Sequence, residues 1–393
     1  MKILYENEVN SDMSKLDQAW KNDETFAFIS NRSGCPEDWV RTALSNLPLE
    51  FNKDHFVLFT SGSTGRPKLV VGKKERAEHL AKVLHEIQDS HSVNQTVLLL
   101  PLTYSYAFVN QWLWAKLHNR KIIYSGGFSK PDLVKKYLEE AADCLLCLVG
   151  AMLPLLKSNF GEHICFPGVT RLHFAGGMFP QESLPLIEKI FPNALIFNNY
   201  GCAEAMPRLT IRKAGETNIA HNIGRPIPGV NLKIGDEGEI LFQSIYRASC
   251  YYDHTGLHIP SDDDWIPTGD FGEQIENGYW LIRGRKSEVF KRYGEKISFY
   301  QLLETVKVYW THDAVFYREN DSSGEPGHVL LLSPNADEDQ VRNILREFRK
   351  NYARALWPLR IESVENIPLL PNGKIDNIRF SSIPKTIHWM QRI

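Results

Sequence analysis

The sequence predicts an α/β protein with a large N-terminal domain of layered sheets and helices, a β-rich subdomain, and a small α+β C-terminal domain. Short apolar runs alternate with helical segments, which is typical of a sheet covered on both faces. After about Ile223 the pattern changes to short strands separated by Gly, Pro and Asp turns, which indicates the β-rich part. The length of 393 residues exceeds one compact core, so two domains are expected.

The elements follow in order along the chain. The predicted strands are Phe56–Phe59, Thr96–Leu100, Lys121–Tyr124, Cys144–Val149, Arg171–Phe174, Ala194–Asn198 and His328–Leu332. The predicted helices are Lys74–Ile87, Phe108–Leu117, Pro131–Glu140, Gln181–Ile190, Phe299–Tyr309 and Glu338–Asn351. The change in pattern near Gly284 to Ser287 places the boundary between residues 284 and 285, giving domains 1–284 and 285–393.

Composition excludes several classes of function. Lys and Arg number 45 against 47 Asp and Glu, so no basic excess offsets a nucleic-acid backbone. The longest apolar stretch, Leu145–Leu156, is shorter than the roughly 20 residues that span a bilayer. It predicts a buried strand running into a loop near Pro154. The acidic start, with no apolar run behind it, is unlike a secretory signal, so no membrane partner is expected.

The cysteines indicate a reducing compartment. The six cysteines are scattered, which favours free thiols in a cytoplasm over a disulfide framework. Cys144 and Cys147 form a CxxC pair, but no second pair or nearby His completes a zinc site.

A Ser/Thr/Gly-rich loop is the strongest local signal. It follows a strand and is expected to lead into a helix, and Gly62 and Gly65 allow successive backbone N–H groups to turn inward. Hydroxyls and one ammonium add donors suited to a polyphosphate. The loop residues are Thr60, Ser61, Gly62, Ser63, Thr64, Gly65 and Lys68. The loop lacks the GxxxxGK[ST] pattern of P-loop NTPases.

Five motifs in order resemble those of the adenylate-forming superfamily of acyl- and aryl-CoA ligases, carrier-loading adenylation domains and luciferases. The phosphate loop is the first of them. The others are Asn198–Glu204 (aromatic-Gly-x-Thr/Ala-Glu), Thr268–Asp270 (ribose motif), Gly284–Gly294 (hinge motif) and Pro371–Lys374 (catalytic-lysine loop). The resemblance covers residues 56 to 378 and implies an enzyme that uses ATP to convert a carboxylic acid to an acyl-adenylate.

The resemblance implies a role for each matching residue. Lys374 is the main catalytic residue, between the carboxylate and the α-phosphate. Glu204 is implied to be catalytic as the Mg²⁺ ligand, which suits the preference of magnesium for carboxylate oxygens. Nucleotide contacts are expected from Gly177, Met178, Asn199, Tyr200, Gly201, Asp270 and Arg285. Fixed cations and N–H donors aimed at the transferred group typically contribute about 3 kcal/mol each.

The C-terminal domain is implied to be a mobile lid, with one face for adenylation and another for thioester formation. Lys286 and Ser287 would form its hinge, and Gly294 would line a channel for a pantetheine thiol. The family usually has Asp where this chain has Ser287. The chain also begins closer to its phosphate loop than family members do, so a compact N-terminus is expected.

The predicted acid pocket is flat and mostly apolar. Its residues are Tyr104, Ser105, Tyr106, Gly176 and Cys202. Amino-acid-activating members place an Asp where this chain has the uncharged Ser105, and aryl-acid-activating members share Ala203. An aromatic or unsaturated acid is therefore favoured over an α-amino acid.

The sequence leaves the acceptor open. The leading hypothesis is transfer to a carrier protein's phosphopantetheine, and the near-neutral net charge does not separate this from transfer to coenzyme A. An amide synthetase that passes the acyl group to an amine is a second enzymatic alternative. A degenerate protein that binds nucleotide or acid without turnover is the non-enzymatic one.

Overall fold

The computed structural model describes residues 1–30, 36–60, 67–161, 163–369, 375–376, 379–380 and 382–391. The chain divides into two compact units, residues 1–268 with 273–281 and residues 269–272 with 282–393. The division at Leu281 and Ile282 lies close to the boundary predicted between residues 284 and 285. Each unit has its own apolar core, as expected of separate domains.

The first unit holds most of the strands and helices. Its strands are β1 Lys2–Tyr5, β2 Phe26–Ile29, β3 His55–Thr60, β4 Lys68–Lys73, β5 Gln95–Leu98, β6 Lys121–Tyr124, β7 Cys144–Leu148, β8 Val169–Phe174, β9 Leu195–Tyr200, β10 Thr210–Lys213, β11 Asn222–Pro226, β12 Val230–Ile234, β13 Glu239–Ser244, β14 Cys250–Asp253 and β15 Gly256–His258, followed by β16 Ile266–Gln274 and β17 Trp280–Arg285, which extend into the second unit. Its helices are α1 Glu6–Ser11, α2 Ser14–Lys21, α3 Glu37–Ser45, α4 Lys74–Ile87, α5 Ser105–Ala107, α6 Trp114–Leu117, α7 Pro131–Glu139, α8 Met152–Phe160 and α9 Leu184–Ile190, and a π-helical segment, Phe108–Leu113, joins α5 to α6.

The larger sheet has the order β12-β13-β16-β17-β11-β10-β9-β8-β7-β5-β6 within the described residues. Strands β6, β5, β7, β8 and β9 run parallel. All of β7, Cys-Leu-Leu-Cys-Leu, is buried, as expected of a parallel strand covered on both faces. The α/β fold class predicted from the alternation is confirmed, and the β-rich part after Ile223 adds its strands to this sheet and to the next.

The second sheet has the order β1-β2-β3-β4-β14-β15. Strands β3 and β4 are antiparallel, and Thr60 lies opposite Lys68. The expectation that the Ser/Thr/Gly-rich loop leads directly into a helix is wrong, because the loop joins these two strands and α4 begins only at Lys74. The buried run Leu69–Val71 provides the apolar side chains that make β4 a strand.

Helical segments share one core with both sheets. The Trp20 ring of α2 lies 5.3 Å from Phe56 of β3 and 5.5 Å from Trp112 of the π-helical segment. The predicted loop near Pro154 is wrong, because these residues form α8. Pro154 lies in the first turn of that helix, where its missing N–H removes no intrahelical hydrogen bond. Among the described residues, no helix combines the length and apolar character needed to cross a membrane.

The second unit is an α+β structure. Its strands are β18 Val289–Arg292, β19 Glu295–Ser298, β20 Asp313–Asn320, β21 Pro326–Ser333, β22 Arg360–Ser363 and β23 Thr386–Met390, and its helices are α10 Phe299–Lys307 and α11 Glu338–Asn351. A capping box between Asp337 and Gln340 starts α11. The buried face of this helix is apolar, and its exposed positions include Arg342, Arg346, Arg349 and Lys350.

Candidate active site

Three groups of predicted site residues in the first unit follow the carboxyl ends of parallel strands. Ligands of open α/β sheets bind in the crevice outside these ends. The segment Tyr104–Tyr106 follows β5, Gly176–Met178 follows β8, and Gly201–Glu204 follows β9. The β7 and β8 loops touch, since a Cβ on Gly150 would lie 2.7 Å from the Met178 carbonyl oxygen.

The loop after β8 is open to solvent. Gly176, Gly177 and Met178 are exposed, and Met178 retains half of its accessible surface. A Cβ on Gly177 would meet nothing within 4 Å, so this stretch leaves room for a flat ligand beside the backbone. Its predicted role along the adenine edge stays a prediction.

The turn after β9 is closely packed on its inner side. A Cβ on Gly201 would lie 1.8 Å from the Pro207 carbonyl oxygen, so only glycine fits there. Asn199 is buried, and its carboxamide oxygen accepts a hydrogen bond from the Arg208 guanidinium. Tyr200 and Cys202 are partly exposed at the end of the strand.

The predicted acid-pocket residues differ in burial. Ser105 is buried at the first position of α5, and Tyr104 and Tyr106 are partly buried. The Arg208 guanidinium carbon lies 5.9 Å from the centre of the Tyr106 ring. The pocket predicted as mostly apolar therefore has a buried cation against one of its tyrosines.

An ammonium group between two carboxylates lies at the start of β4. The Lys68 Nζ is 2.5 Å from Glu204 Oε1 and 3.6 Å from Asp253 Oδ2. It also lies 5.2 Å from the centre of the Tyr251 ring. Strand β14 places Tyr251 and Asp253 here, because it pairs with β4 in antiparallel register. The predicted residues Lys68 and Glu204 thus meet across 136 positions of sequence.

Electrostatics favour the charged forms of Lys68 and Asp253. Burial alone would lower the pKa of Lys68, but the attraction and hydrogen bond of Glu204, with the charge of Asp253, raise it above its usual value. Burial opposes ionisation of Asp253, yet hydrogen bonds from Thr255 and the charge of Lys68 lower its pKa. The cluster is a fixed arrangement of opposite charges at the base of the Ser/Thr/Gly-rich loop.

The loop itself is described only at its ends. Thr60 and Lys68 face each other across β3 and β4. The predicted phosphate-binding residues Ser61, Gly62, Ser63, Thr64 and Gly65 lie outside the described residues, as does the predicted catalytic Lys374. Their roles stay predictions.

The second unit contains the other predicted nucleotide residues. Asp270 is almost fully buried, and its Oδ1 lies 2.6 Å from Arg285 Nε. Burial raises the pKa of the nearby Glu288, which the charge of Arg285 opposes and that of Asp270 reinforces. An Asp held by an Arg in this way has a fixed orientation, which suits recognition of a diol.

The hinge and channel residues lie in short turns of this unit. Lys286 and Ser287 belong to a 3₁₀ turn between β17 and β18. The Arg318 guanidinium donates to the carbonyl oxygens of Ser287 and Val289, each at 2.8 Å. Gly294 (φ +84°) turns the chain from β18 to β19.

His85, Glu86 and His91, at and after the end of α4, lie close enough to hold a metal ion, but their hydrogen bonds indicate another arrangement. His85 Nε2 lies 3.2 Å from His91 Nδ1, and His91 Nε2 lies 3.1 Å from Glu86 Oε2. The Trp114 indole N–H, which can only donate, points to His85 Nδ1 at 3.2 Å. His85 is therefore protonated on Nε2 and donates to His91. A metal on Nε2 would force an N–H against the indole N–H, so the geometry favours a hydrogen-bonded chain.

Comparison with known proteins defines the class. The chain belongs to the AMP-binding enzyme family, whose model matches residues 6–252. It is 22% identical to a D-alanine–D-alanyl carrier protein ligase of Staphylococcus aureus, over 92% of this chain and 78% of the relative. The predicted membership of the adenylate-forming superfamily is confirmed, as is the prediction of a ligase.

Solved structures share the fold. The o-succinylbenzoate CoA synthetase MenE of Bacillus subtilis, in complex with its acyl-adenylate, is similar with a TM-score of 0.71 and 16% identity, over 98% of this chain and 88% of that one. The anthranilate CoA ligase AuaEII with anthranoyl-AMP is similar with a TM-score of 0.67 and 16% identity, over 97% of this chain and 77% of that one. Escherichia coli MenE is similar with a TM-score of 0.60 and 20% identity, over 79% of this chain and 65% of that one.

Sequence reasoning missed two groups that the fold brings to the site. Asp253 and Tyr251 join Lys68 through the pairing of β14 with β4, and no local motif marks them. Arg208 lies four residues after Glu204, outside the motif that contains it. A signal for Arg208 was available, because it is a charged residue within the apolar run Ala205–Leu209.

Proposed function

We propose that the enzyme activates a carboxylic acid with ATP and then transfers the acyl group to a thiol. A carboxylate oxygen attacks the α-phosphorus, the bond from that phosphorus to the bridging oxygen breaks, and pyrophosphate leaves. The observation that carries the proposal is the partly buried Lys68–Glu204 pair at the base of the Ser/Thr/Gly-rich loop. Both anions must be screened as they meet, and the Glu204 carboxylate that Lys68 holds beside the loop would bind the cation that supplies this screening.

The remaining roles follow the family resemblance. The loop residues 60–65 bind the phosphates, Tyr200 lies against the adenine, and Gly177 and Met178 lie along its edge. Asp270 binds the ribose hydroxyls, and Arg285 binds the ribose or a phosphate. Lys374 stabilises the charge that develops between carboxylate and α-phosphate.

Magnesium fits the donors present. Glu204 has one oxygen 2.5 Å from Lys68, which leaves its second oxygen as a ligand for a hard cation. A Mg²⁺ ion held by Glu204 would neutralise phosphate charge. The described cysteines are free thiols, which supports the proposed cytoplasmic location.

The acid is proposed to be aromatic or unsaturated. Ser105 carries no charge that could hold an α-ammonium group. Arg208, beside Tyr106, would repel such a group. The relatives act on acids of both kinds, since their names include D-alanine, anthranilate and o-succinylbenzoate.

A carrier protein is the proposed acceptor, with coenzyme A as the alternative. Although the net charge of the whole chain is near zero, one part of the second unit has more cations than anions. Helix α11 begins with Glu338 and Asp339, which pair with Arg342. After them the cations up to residue 360 are Arg346, Arg349, Lys350, Arg354 and Arg360, and the anion is Glu347. An acidic carrier would be attracted to α11, whose exposed face holds most of these cations. Lys286 and Ser287 would serve as hinge and Gly294 as part of the thiol channel.

Acid-dependent exchange of pyrophosphate into ATP tests the first step. Benzoates, cinnamates, fatty acids and amino acids are compared, with Lys374→Ala as the inactive variant. Exchange with one class, lost in the variant, is expected. ATP binding without exchange for any acid would favour the degenerate binding protein, and transfer to amines would favour an amide synthetase.

A further inference from the structure

Arg208 is a fully buried cation with neutral partners. Its side chain is 1% exposed, and its two terminal nitrogens donate to the carboxamide oxygens of Asn199 and Asn110. Among the residues that the structure describes, no carboxylate forms an ion pair with it. Arginine is rarely buried completely unless an anion accompanies it. Its burial therefore leaves a positive charge without a counter-charge.

The groups around the guanidinium do not supply that charge. Burial raises the pKa of the Cys147 thiol to about 12 and places the pKa of the Tyr106 phenol well above its usual value. Burial, and then the charge of Arg208, hold the pKa of His173 well below its usual value. All three are neutral near pH 7, and His173 Nε2 is buried without a hydrogen-bond partner.

The charge lies directly behind the proposed acid and adenine site. Arg208 contacts Tyr106, which follows β5, and Asn199, which lies in β9 next to its last residue, Tyr200. The turn at Gly201 packs on the same segment, since a Cβ there would lie 3.0 Å from Arg208 Cα. A guanidinium has five N–H donors, and only two are engaged by the asparagines.

We propose that Arg208 binds a second anionic group of the acid substrate, at the end opposite the carboxylate that is activated. The substrate class is then a dicarboxylic acid with an aromatic or unsaturated body. A planar guanidinium can bind a carboxylate through two parallel hydrogen bonds. Because Arg208 is enclosed, binding requires the Tyr106 ring that packs on it to move aside. The inference rests on the proposed function.

Selectivity between paired acids tests the proposal. Benzoate is compared with isophthalate and terephthalate, which add one carboxylate to the same ring, in pyrophosphate exchange by wild type and Arg208→Gln. The wild type is expected to prefer a dicarboxylate in kcat/KM by about tenfold or more, and the variant to lose that preference. A ratio that is the same in both proteins would overturn the inference, as would a wild-type preference for benzoate.

Arg212→Gln is the matched control. Arg212 is also buried, but its donors are engaged by the carbonyl oxygens of Asn222, Ala214 and Thr217 and by the Gln181 side chain. Its substitution removes a neighbouring buried guanidinium and should leave the selectivity ratio unchanged. An equal loss of selectivity in both variants would mean that general loosening of the core is responsible.

A binding measurement separates this inference from the proposed reaction. If no acid supports exchange, the rise in melting temperature with each of the three acids is measured in both proteins. Stabilisation by a dicarboxylate that is lost in Arg208→Gln would sustain the inference while the reaction failed. Should Arg208→Gln not fold, Arg208→Lys, which keeps the charge without the planar fork, is compared, and retention of the full preference there would overturn two-bond recognition.

Discussion

Lys68 differs from the role expected of a lysine after a phosphate loop. The expectation was a cation directed at the polyphosphate, but Glu204 and Asp253 already neutralise much of its charge. We therefore propose that its main effect is to fix the Glu204 carboxylate, which is proposed to hold Mg²⁺. Under this proposal Lys68 would act on the phosphates through the orientation of that carboxylate.

Replacement of Lys68 by Gln should lower the rate of pyrophosphate exchange by about 100-fold, the loss expected when one charge-stabilising group is removed. The Mg²⁺ concentration for half-maximal exchange should rise as well, because Glu204 would lose its fixed partner. Both are measured in one magnesium titration. Lys73→Gln is the control, since Lys73 ends the same strand and pairs with the exposed Glu75. Unchanged magnesium dependence in Lys68→Gln would contradict this role.

The sequence identified the residues of this cluster that belong to motifs and missed the others. Lys68 and Glu204 were predicted because each follows a recognisable run of Gly, Ser, Thr or aromatic residues. Asp253 lies 185 positions after Lys68, and only the register of β14 on β4 brings it there. Arg208 was missed for a related reason, because only the folded chain shows that no carboxylate among the described residues pairs with it.

Single side chains also support whole elements, and Lys74 is the clearest case. Its Nζ lies 3.1 Å from the Ala19 carbonyl oxygen, 2.5 Å from that of Asn22 and 3.4 Å from that of Glu24. A cation at a helix C-terminus satisfies carbonyl groups that have no intrahelical donor. Lys74 at the start of α4 therefore holds the end of α2.

Lys74→Met should lower the free energy of unfolding by about 1–3 kcal/mol, because buried carbonyl groups lose their donor. Urea unfolding followed by tryptophan fluorescence measures this, since Trp20 lies next to the site. Lys82→Met on the exposed face of the same helix should change stability little. Equal stability of the two variants would contradict the capping role.

Helix α11 provides a test of the acceptor. Arg346→Glu with Lys350→Glu should raise KM for an acidic carrier protein by about tenfold at low salt, and less at high salt where charges are screened. Coenzyme A should be affected less, because the docking surface rather than the thiol site changes. Lys135→Glu with Lys136→Glu on α7 has the same charge change at exposed positions. Equal effects of the two double variants would point to net charge alone.

Strands and helices with a clear apolar run or a clear periodicity could be predicted from the sequence. Elements whose local residues suggested another structure could not. The apolar runs of β7 and β8 and the periodicity of α4 and α11 identified them. Pro154 suggested a loop, but a proline in the first turn is compatible with α8. Strand β4 has a short apolar run between lysines, and only its neighbours β3 and β14 make it a strand.

At the scale of the whole molecule, each unit contains a buried neutral imidazole. Burial, with the charges of nearby His118 and His91, lowers the pKa of His85 to about 4. Burial, with the charge of Arg292, lowers that of His328 to about 3. In the unfolded chain both return to about 6.5. Between these values the unfolded chain binds protons that the folded chain does not, so stability falls as the pH decreases below about 6.5 and is unaffected by these groups above it.

Replacement of His328 by Phe should remove the part of the pH dependence of stability that this histidine causes in the second unit. The ring lies among Phe290, Phe299 and Phe316, so an aromatic substitute fits the same environment. The wild type should lose up to about 1.4 kcal/mol per pH unit more than the variant below pH ~6.5. Urea unfolding from about pH 7.5 to about pH 5 measures the difference. His312→Phe, at an exposed position, is the control, and parallel pH curves for wild type and His328→Phe would contradict the assignment.

The two hydrogen bonds of Arg318 restrict where the chain can rotate. Its guanidinium donates to the carbonyl oxygens of Ser287 and Val289, on both sides of Glu288. That stretch behaves as part of the body to which β20 belongs. If the second unit rotates as the family resemblance implies, backbone torsions before Ser287 would take up most of the rotation. Within the proposed hinge of Lys286 and Ser287, the torsions of Lys286 would then carry more of the rotation than those of Ser287, where the family usually has Asp.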